Sequence, residues 1–125
     1  MTAVLDASAV LAYLRGEPGA VEVEAALVEG AVIGAANWSE ICQKVSAAGG
    51  SWNEARALLQ SYAVEIVPVS ATDAELAAHL WRRGSGLSLA DRLCLALGAR
   101  LNAVVVTADS AWADRPGIRQ IRRAP

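Results

Sequence analysis

Four short runs of apolar, largely β-branched residues recur along the chain: "TAVLD" from Thr2, "AVIG" from Ala31, "VEIVPV" from Val64 and "AVVV" from Ala103. Most are unbroken by polar residues. A strand with one wet face alternates, whereas a strand covered on both faces stays apolar throughout. The segments between the runs are too long for hairpin turns and carry helical spacing. Val10, Leu11 and Leu14 precede a stop at Gly16, and a second helix runs from Pro18 to Gly30. Asn37 opens a third as its N-cap, ended by Gly49-Gly50, and Ser51 caps a fourth. "TDAELAAHLWRRG" and "SLADRLCLALGARL" are two more, the last closed by Asn102. A helical turn at Ser110 to Ala113 and a weak strand at Arg119 to Ile121 complete the chain. The pattern predicts an α/β fold, a parallel sheet of about five strands flanked by helices on both faces.

The length of 125 residues accommodates one domain, 1–125, with a proper core. With no Phe, that core must be filled by Leu, Val and Ala. No apolar run is long enough for a membrane span, so no membrane contact is expected. "MTAVLDASAV" lacks the pattern of a secretory signal, which predicts a cytoplasmic protein. Cys42 and Cys94 lie in apolar helical patterns and read as free thiols. His79 is the only histidine, which removes most zinc sites and most histidine-based nucleophilic catalysts. The net charge of −2 excludes a protein that holds nucleic acid by bulk electrostatics. Basic residues cluster locally at Arg82 and Arg83, and in the tail at Arg115, Arg119, Arg122 and Arg123.

Ligands of open parallel sheets bind at the carboxyl ends of the strands. Four acids fall there. Asp6 ends the first strand and Asp109 follows the fourth. Glu40 and Asp91 sit in the first turns of helices. Each alone has an ordinary explanation. "NWSE", "SWNE", "TDAE" and "SLAD" all fit capping arrangements, and acids are favoured at helix N-termini. Together, four neighbouring carboxylates repel and call for a counter-charge, naturally a hard divalent cation with oxygen ligands. Lys44 is the only lysine. Asp73 and Glu75 also follow a strand, and the pattern does not exclude them.

"VLDASAVLAYL", "NWSE", "LSLADRLCLALG" and "VVVTADSAWAD" occur in the order found in PIN-domain ribonucleases. The chain resembles most closely the VapC-type toxins of toxin–antitoxin pairs, over Val4 to about Arg122. The resemblance implies a parallel sheet of about five strands. It implies Asp6, Glu40, Asp91 and Asp109 as catalytic, metal-ligating acids, with Ser8 and Thr107 in support and Asp114 as a candidate outer acid. It implies cleavage of RNA, single-stranded or in loops, using Mg²⁺ or Mn²⁺ to activate water. Arg82, Arg83 or Arg92 are candidates to hold the phosphate backbone, and Trp38 and Trp112 are either base-stacking surfaces or core. The implied partners are a VapB-like antitoxin and a second copy of the chain as a homodimer, with Tyr13, Leu14, Trp52 and Leu59 as candidate apolar contacts. The alternative is a PIN-fold module that binds or regulates without catalysis. A phosphotransfer receiver lacks its late lysine, and a haloacid-dehalogenase-type phosphatase lacks its DxD, because Ala7 and Ser8 follow Asp6.

Overall fold

The computed structural model describes residues 2–112 and 115–122. In chain order the elements are β1 (Ala3–Leu5), α1 (Ala7–Leu14), α2 (Ala20–Glu29), β2 (Ala31–Gly34), α3 (Ala35–Ala47) and α4 (Trp52–Gln60). They continue with β3 (Glu65–Val67), α5 (Ala71–His79), α6 (Leu89–Leu101), β4 (Val104–Thr107), a 3₁₀ turn (Ser110–Trp112) and β5 (Ile118–Gln120). All strand pairs are parallel, in the order β3-β2-β1-β4-β5.

The apolar runs are apolar because both sheet faces are covered. Alternate side chains of one strand point to opposite faces. Ala3 and Leu5 of β1, Ile33 of β2 and Val106 of β4 join Val10, Leu27, Ile41 and Leu59 of α1 to α4 in one core. Val4, Val32 and Val105 face the other way, onto Cys94 and Leu97 of α6 and onto Trp112. Helix α5 packs on α6. A bidentate ion pair from Arg100 to the buried Asp73, at 2.7 and 3.0 Å, ties the start of α5 to the end of α6. Arg92 Nη1 donates to the Ala77 carbonyl at 2.9 Å, so the end of α5 lies towards the start of α6 and the two run antiparallel.

Some boundaries differ from expectation. Helix α3 follows β2 directly and starts from Gly34, so Asn37 is inside its first turn and is not its N-cap. Ser70, not Thr72, caps α5: its hydroxyl accepts from the Asp73 N–H, and the helix stops at His79. Ser51 caps α4, Asn102 closes α6 in the left-handed region (φ 50°), and the Ser88–Asp91 capping box forms, all as expected. The last strand is Ile118–Gln120 and the helical turn ends at Trp112. Ala113, Asp114 and Arg123 lie outside the described residues. Cys42 and Cys94 are free thiols, the second fully buried. No helix among the described residues is long and apolar enough to cross a membrane.

Candidate active site

The strand order reverses direction at β1: the chain adds β2 and β3 on one side, then β4 and β5 on the other. The crevice at such a switch point, beyond the carboxyl ends of the two central strands, is where open α/β sheets bind ligands. Asp6 leaves the end of β1 and Asp109 lies just past the end of β4, so both acids border it.

Asp6 is 2% exposed, and its carboxylate is held from three directions. The Ala9 N–H donates to Oδ1 at 2.8 Å, so Asp6 is the N-cap of α1. The Thr107 hydroxyl donates to Oδ2 at 2.5 Å. The Ser8 hydroxyl lies 2.8 and 2.9 Å from the two oxygens. Ser8 Oγ also accepts from the Ala108 N–H, and Thr107 Oγ1 from the Asp109 N–H. The two hydroxyls thereby bind the end of β4 to the end of β1. Three donors do not exhaust the roughly four lone-pair positions of a carboxylate. Burial nevertheless dominates: it raises the Asp6 pKa to about 6, with Asp91 adding to the rise and the hydrogen bonds from Thr107, Ala9 and Ser8 opposing it.

Glu40 is half-buried in α3. Its pKa is raised, first by burial and then by Asp91, against Lys44 and Asn37. Asn37 is 1% exposed, with Nδ2 at 3.4 Å from Glu40 Oε1 and 3.5 Å from the Ala90 carbonyl. It bridges the first turns of α3 and α6, while its Oδ1 has no partner. Asp91 performs the capping its sequence suggests, accepting from the Ser88 N–H at 3.0 Å. That does not remove it from the site, because its charge acts on both Asp6 and Glu40. The buried Cys94 thiol, one turn further along α6, is pushed well up, by burial first and then by Asp6, Asp91 and Glu40. Three of the four expected acids thus share one field.

Asp109 is joined less directly. Its backbone N–H reaches Thr107, its carbonyl accepts from Gln120 Nε2, and its carboxylate accepts from the Ala111 N–H at 2.9 Å. Among the described residues, no three His, Cys, Asp or Glu side chains are gathered into a closed coordination shell. Each of the four acids accepts from a protein donor. The donor set is all carboxylate and hydroxyl oxygen, which suits Mg²⁺ or Mn²⁺ and not a softer metal. The excess negative charge, opposed at Glu40 by Lys44 alone, fits such a cation.

The other residues singled out divide clearly. Asp73 is taken by Arg100 and is structural. His79 is exposed at the end of α5. Trp112 is 1% exposed in the core and offers no free face for stacking, while Trp38 is half-buried and packs edge-on against Trp52 at 4.9 Å. Leu59 is fully buried, and Tyr13 pairs with Tyr62 through a 2.7 Å hydroxyl contact. Leu14 instead lines a mostly apolar groove of about 340 Å³ with Leu11, Val45, Ala55 and Leu58, bordered by Arg15 and Glu54. The Asn37 bridge and the exposure of Trp81, 52%, were not foreseen. The first looked like a helix cap, and nothing in the local sequence separates an outward tryptophan from an inward one.

The PIN domain family model matches residues 3–118. A toxin–antitoxin complex from Klebsiella pneumoniae contains a chain 21% identical, with a TM-score of 0.74 over 94% of this chain and 96% of that one. A DNA-bound VapBC from Salmonella typhimurium is 17% identical, with a TM-score of 0.66 over 96% of both chains. VapBC2 from Rickettsia felis, bound to a promoter DNA fragment, is 19% identical, with a TM-score of 0.65 over 96% and 98%. At these identities the likeness is one of fold. Among curated proteins no relative matches the chain.

Proposed function

The chain belongs to the PIN-domain family, and on that premise we propose that it is a divalent-metal-dependent endoribonuclease, the toxin of a toxin–antitoxin pair. The observation that carries the reading is the shared field of Asp6, Glu40 and Asp91 at the carboxyl ends of the central strands. Buried like charges cost stability unless a positive group joins them, so their persistence in one place argues for a site.

Asp6, Glu40, Asp91 and Asp109 would hold Mg²⁺ or Mn²⁺. When bound, such a cation supplies Lewis-acid charge that offsets the negative charge building on the phosphate. Ser8 and Thr107 fix the Asp6 carboxylate, and Asn37 restrains Glu40 against α6. Glu40, half-buried and raised in pKa, takes the proton from the attacking water and orients it towards phosphorus. Asp109 joins by turning from the Ala111 N–H. Its carboxylate is held there by one hydrogen bond among the described residues, so the turn is inexpensive. Single-stranded or loop RNA suits the site because its phosphates and bases are accessible where a duplex's are not.

The antitoxin would lie in the groove lined by Leu11, Leu14, Val45, Ala55 and Leu58, presenting an apolar helix or extended tail. The likeness to a chain of a toxin–antitoxin complex supports an antitoxin as the partner. We also expect the chain to pair with a second copy, to act in the cytoplasm, and to fold as the single domain that its length suggests.

The deciding measurement is Mn²⁺-dependent cleavage of single-stranded RNA. Asp6→Asn and Asp91→Asn should each reduce it to the metal-free background while circular dichroism stays unchanged. Full cleavage by both would leave the non-catalytic binding module in its place.

A further inference from the structure

We propose that the segment Trp81–Arg83, at the connection from α5 to α6, docks single-stranded RNA beside the acid site. The inference rests on the nuclease reading and deepens it. Because α5 runs antiparallel to α6, the chain leaving α5 arrives next to the first turn of α6, the turn that carries Asp91.

The four tryptophans of the chain are not placed alike. Three are packed, Trp112 in the core and Trp38 against Trp52, while Trp81 stands 52% exposed with Leu89, 57% exposed, across the same connection. Single exposed apolar residues are common. An exposed indole with two arginines directly after it, on the connection into the helix turn that carries Asp91, is a more specific combination. Arg82 Nη1 donates to the His79 and Trp81 carbonyls at 2.9 and 2.8 Å, closing the end of α5 and bracing the segment. Arg83 is exposed, and the ion pairs among the described residues belong to other arginines, Arg100 and Arg122. Gly84 and Gly86 both adopt positive φ, at 76° and 75°, with open space where a side chain would stand.

Charge supplies the second argument. A phosphate chain must approach Asp6, Glu40 and Asp91 on a protein of net charge −2. Attraction therefore has to be local, through cations near the site. Arg115 lies beside Asn102 and Ala103 at the amino end of β4, and Arg119, though in register with Val106, lines a groove with Thr2, Ala3, Glu22 and Glu29. Arg92, half-buried, spends Nη1 on the Ala77 carbonyl. Arg82 spends Nη1 within its own segment too, but both it and Arg83 are exposed on the connection that leads into the end of α6 carrying Asp91. An aromatic face beside cations grips single strands with little regard for sequence, since every base has a π-face. A duplex keeps its bases stacked and would gain nothing from Trp81.

The test uses a fluorescein-labelled, mixed-sequence single-stranded 20-mer RNA in EDTA, where binding proceeds without metal-dependent cleavage. Anisotropy gives the affinity, and quenching of tryptophan emission reports chiefly Trp81, the one indole more exposed than buried. Trp81→Ala should weaken binding by about tenfold and abolish the quench, whereas Trp81→Phe should retain most of the affinity. Arg83→Ala should weaken binding and lower the salt slope by about one phosphate contact. Wild-type affinity and quench in Trp81→Ala would overturn the proposal, as would equal affinity for the matching duplex. A change of oligomeric state in Trp81→Ala with unchanged RNA affinity would also overturn it and mark the segment as a contact between copies. The nuclease reading fails separately, if Asp6→Asn cleaves like wild type while the Trp81 effects on binding persist.

Discussion

Asp6 experiences two opposed influences. Burial disfavours its charge, while the Thr107 and Ser8 hydroxyls and the Ala9 N–H favour it, and burial prevails. The folded pKa of about 6 lies above the reference of 3.8. Between those values the folded state binds more protons than the unfolded one. The contribution is therefore fully present below pH 3.8 and is lost as pH rises through about 6. The loss is on the order of 3 kcal/mol if the shift is fully expressed. In metal-free protein, Tm measured by differential scanning fluorimetry should fall from pH 4 to pH 6.5, and millimolar Mg²⁺ should recover most of the loss at the upper end. A Tm that rises over this window without metal would refute the burial of a strained carboxylate. The same residue shows how far sequence reading reaches: Asp6 at a strand end was legible, but its role as the N-cap of α1 was not, because a strand-end acid and a cap share one position here.

Helix α6 combines support and chemistry in one element. The capping box of Ser88 and Asp91 fixes its start, and the left-handed Asn102 fixes its end, so Asp91 enters the site at a defined height. Both caps were legible because they depend on neighbours within four residues. Gly98 was not. A Cβ there would collide with Val105 Cγ2, so the glycine is what allows α6 to lie directly on β4. Gly98→Ala gains about 1 kcal/mol of helix propensity, but overpacking against β4 typically costs about 1–3 kcal/mol. The expected outcome is a net loss, visible in urea unfolding, together with weaker Mn²⁺ binding as Asp91 is displaced. A stabilised variant would show that β4 yields easily and that the close contact is incidental. The error at Asn37 has the same origin: the cap pattern is local, yet the chain passes from β2 into α3 without a loop and leaves no cap position for it.

At the scale of the molecule, the strand order places the acids of β1 and β4 side by side and sets α1 to α4 on one face, with α6 on the other. The first face carries the apolar groove between α1, α3 and α4. If the antitoxin occupies it, a charge at its rim should exclude the partner without disturbing the core, since Leu58 is 44% exposed. Leu58→Glu should raise the dissociation constant for the cognate antitoxin by about tenfold or more, as loss of an interface anchor does, with far-UV circular dichroism unchanged. Undiminished binding by isothermal titration calorimetry would place the antitoxin elsewhere.

The sequence by itself determined the class of the fold. Apolar runs covered on both faces, alternating with helical segments, admit a parallel sheet between helix layers, and period and composition are enough to read that. It also marked Asp6, Asp91 and Asp109 as acids at a strand end or helix start, and Glu40 as well, although Glu40 lies beyond the first turn of α3, because that helix starts at Ala35. The tertiary structure alone decided which acids act on one another and which, like Asp73, are taken by a distant arginine. It also decided which tryptophan faces outward and how closely α6 can approach β4. These features depend on contacts between residues far apart in the chain, such as Ser8 with Ala108 and Thr107 with Asp6. Local propensity carries no information about such pairs; the order of the strands does.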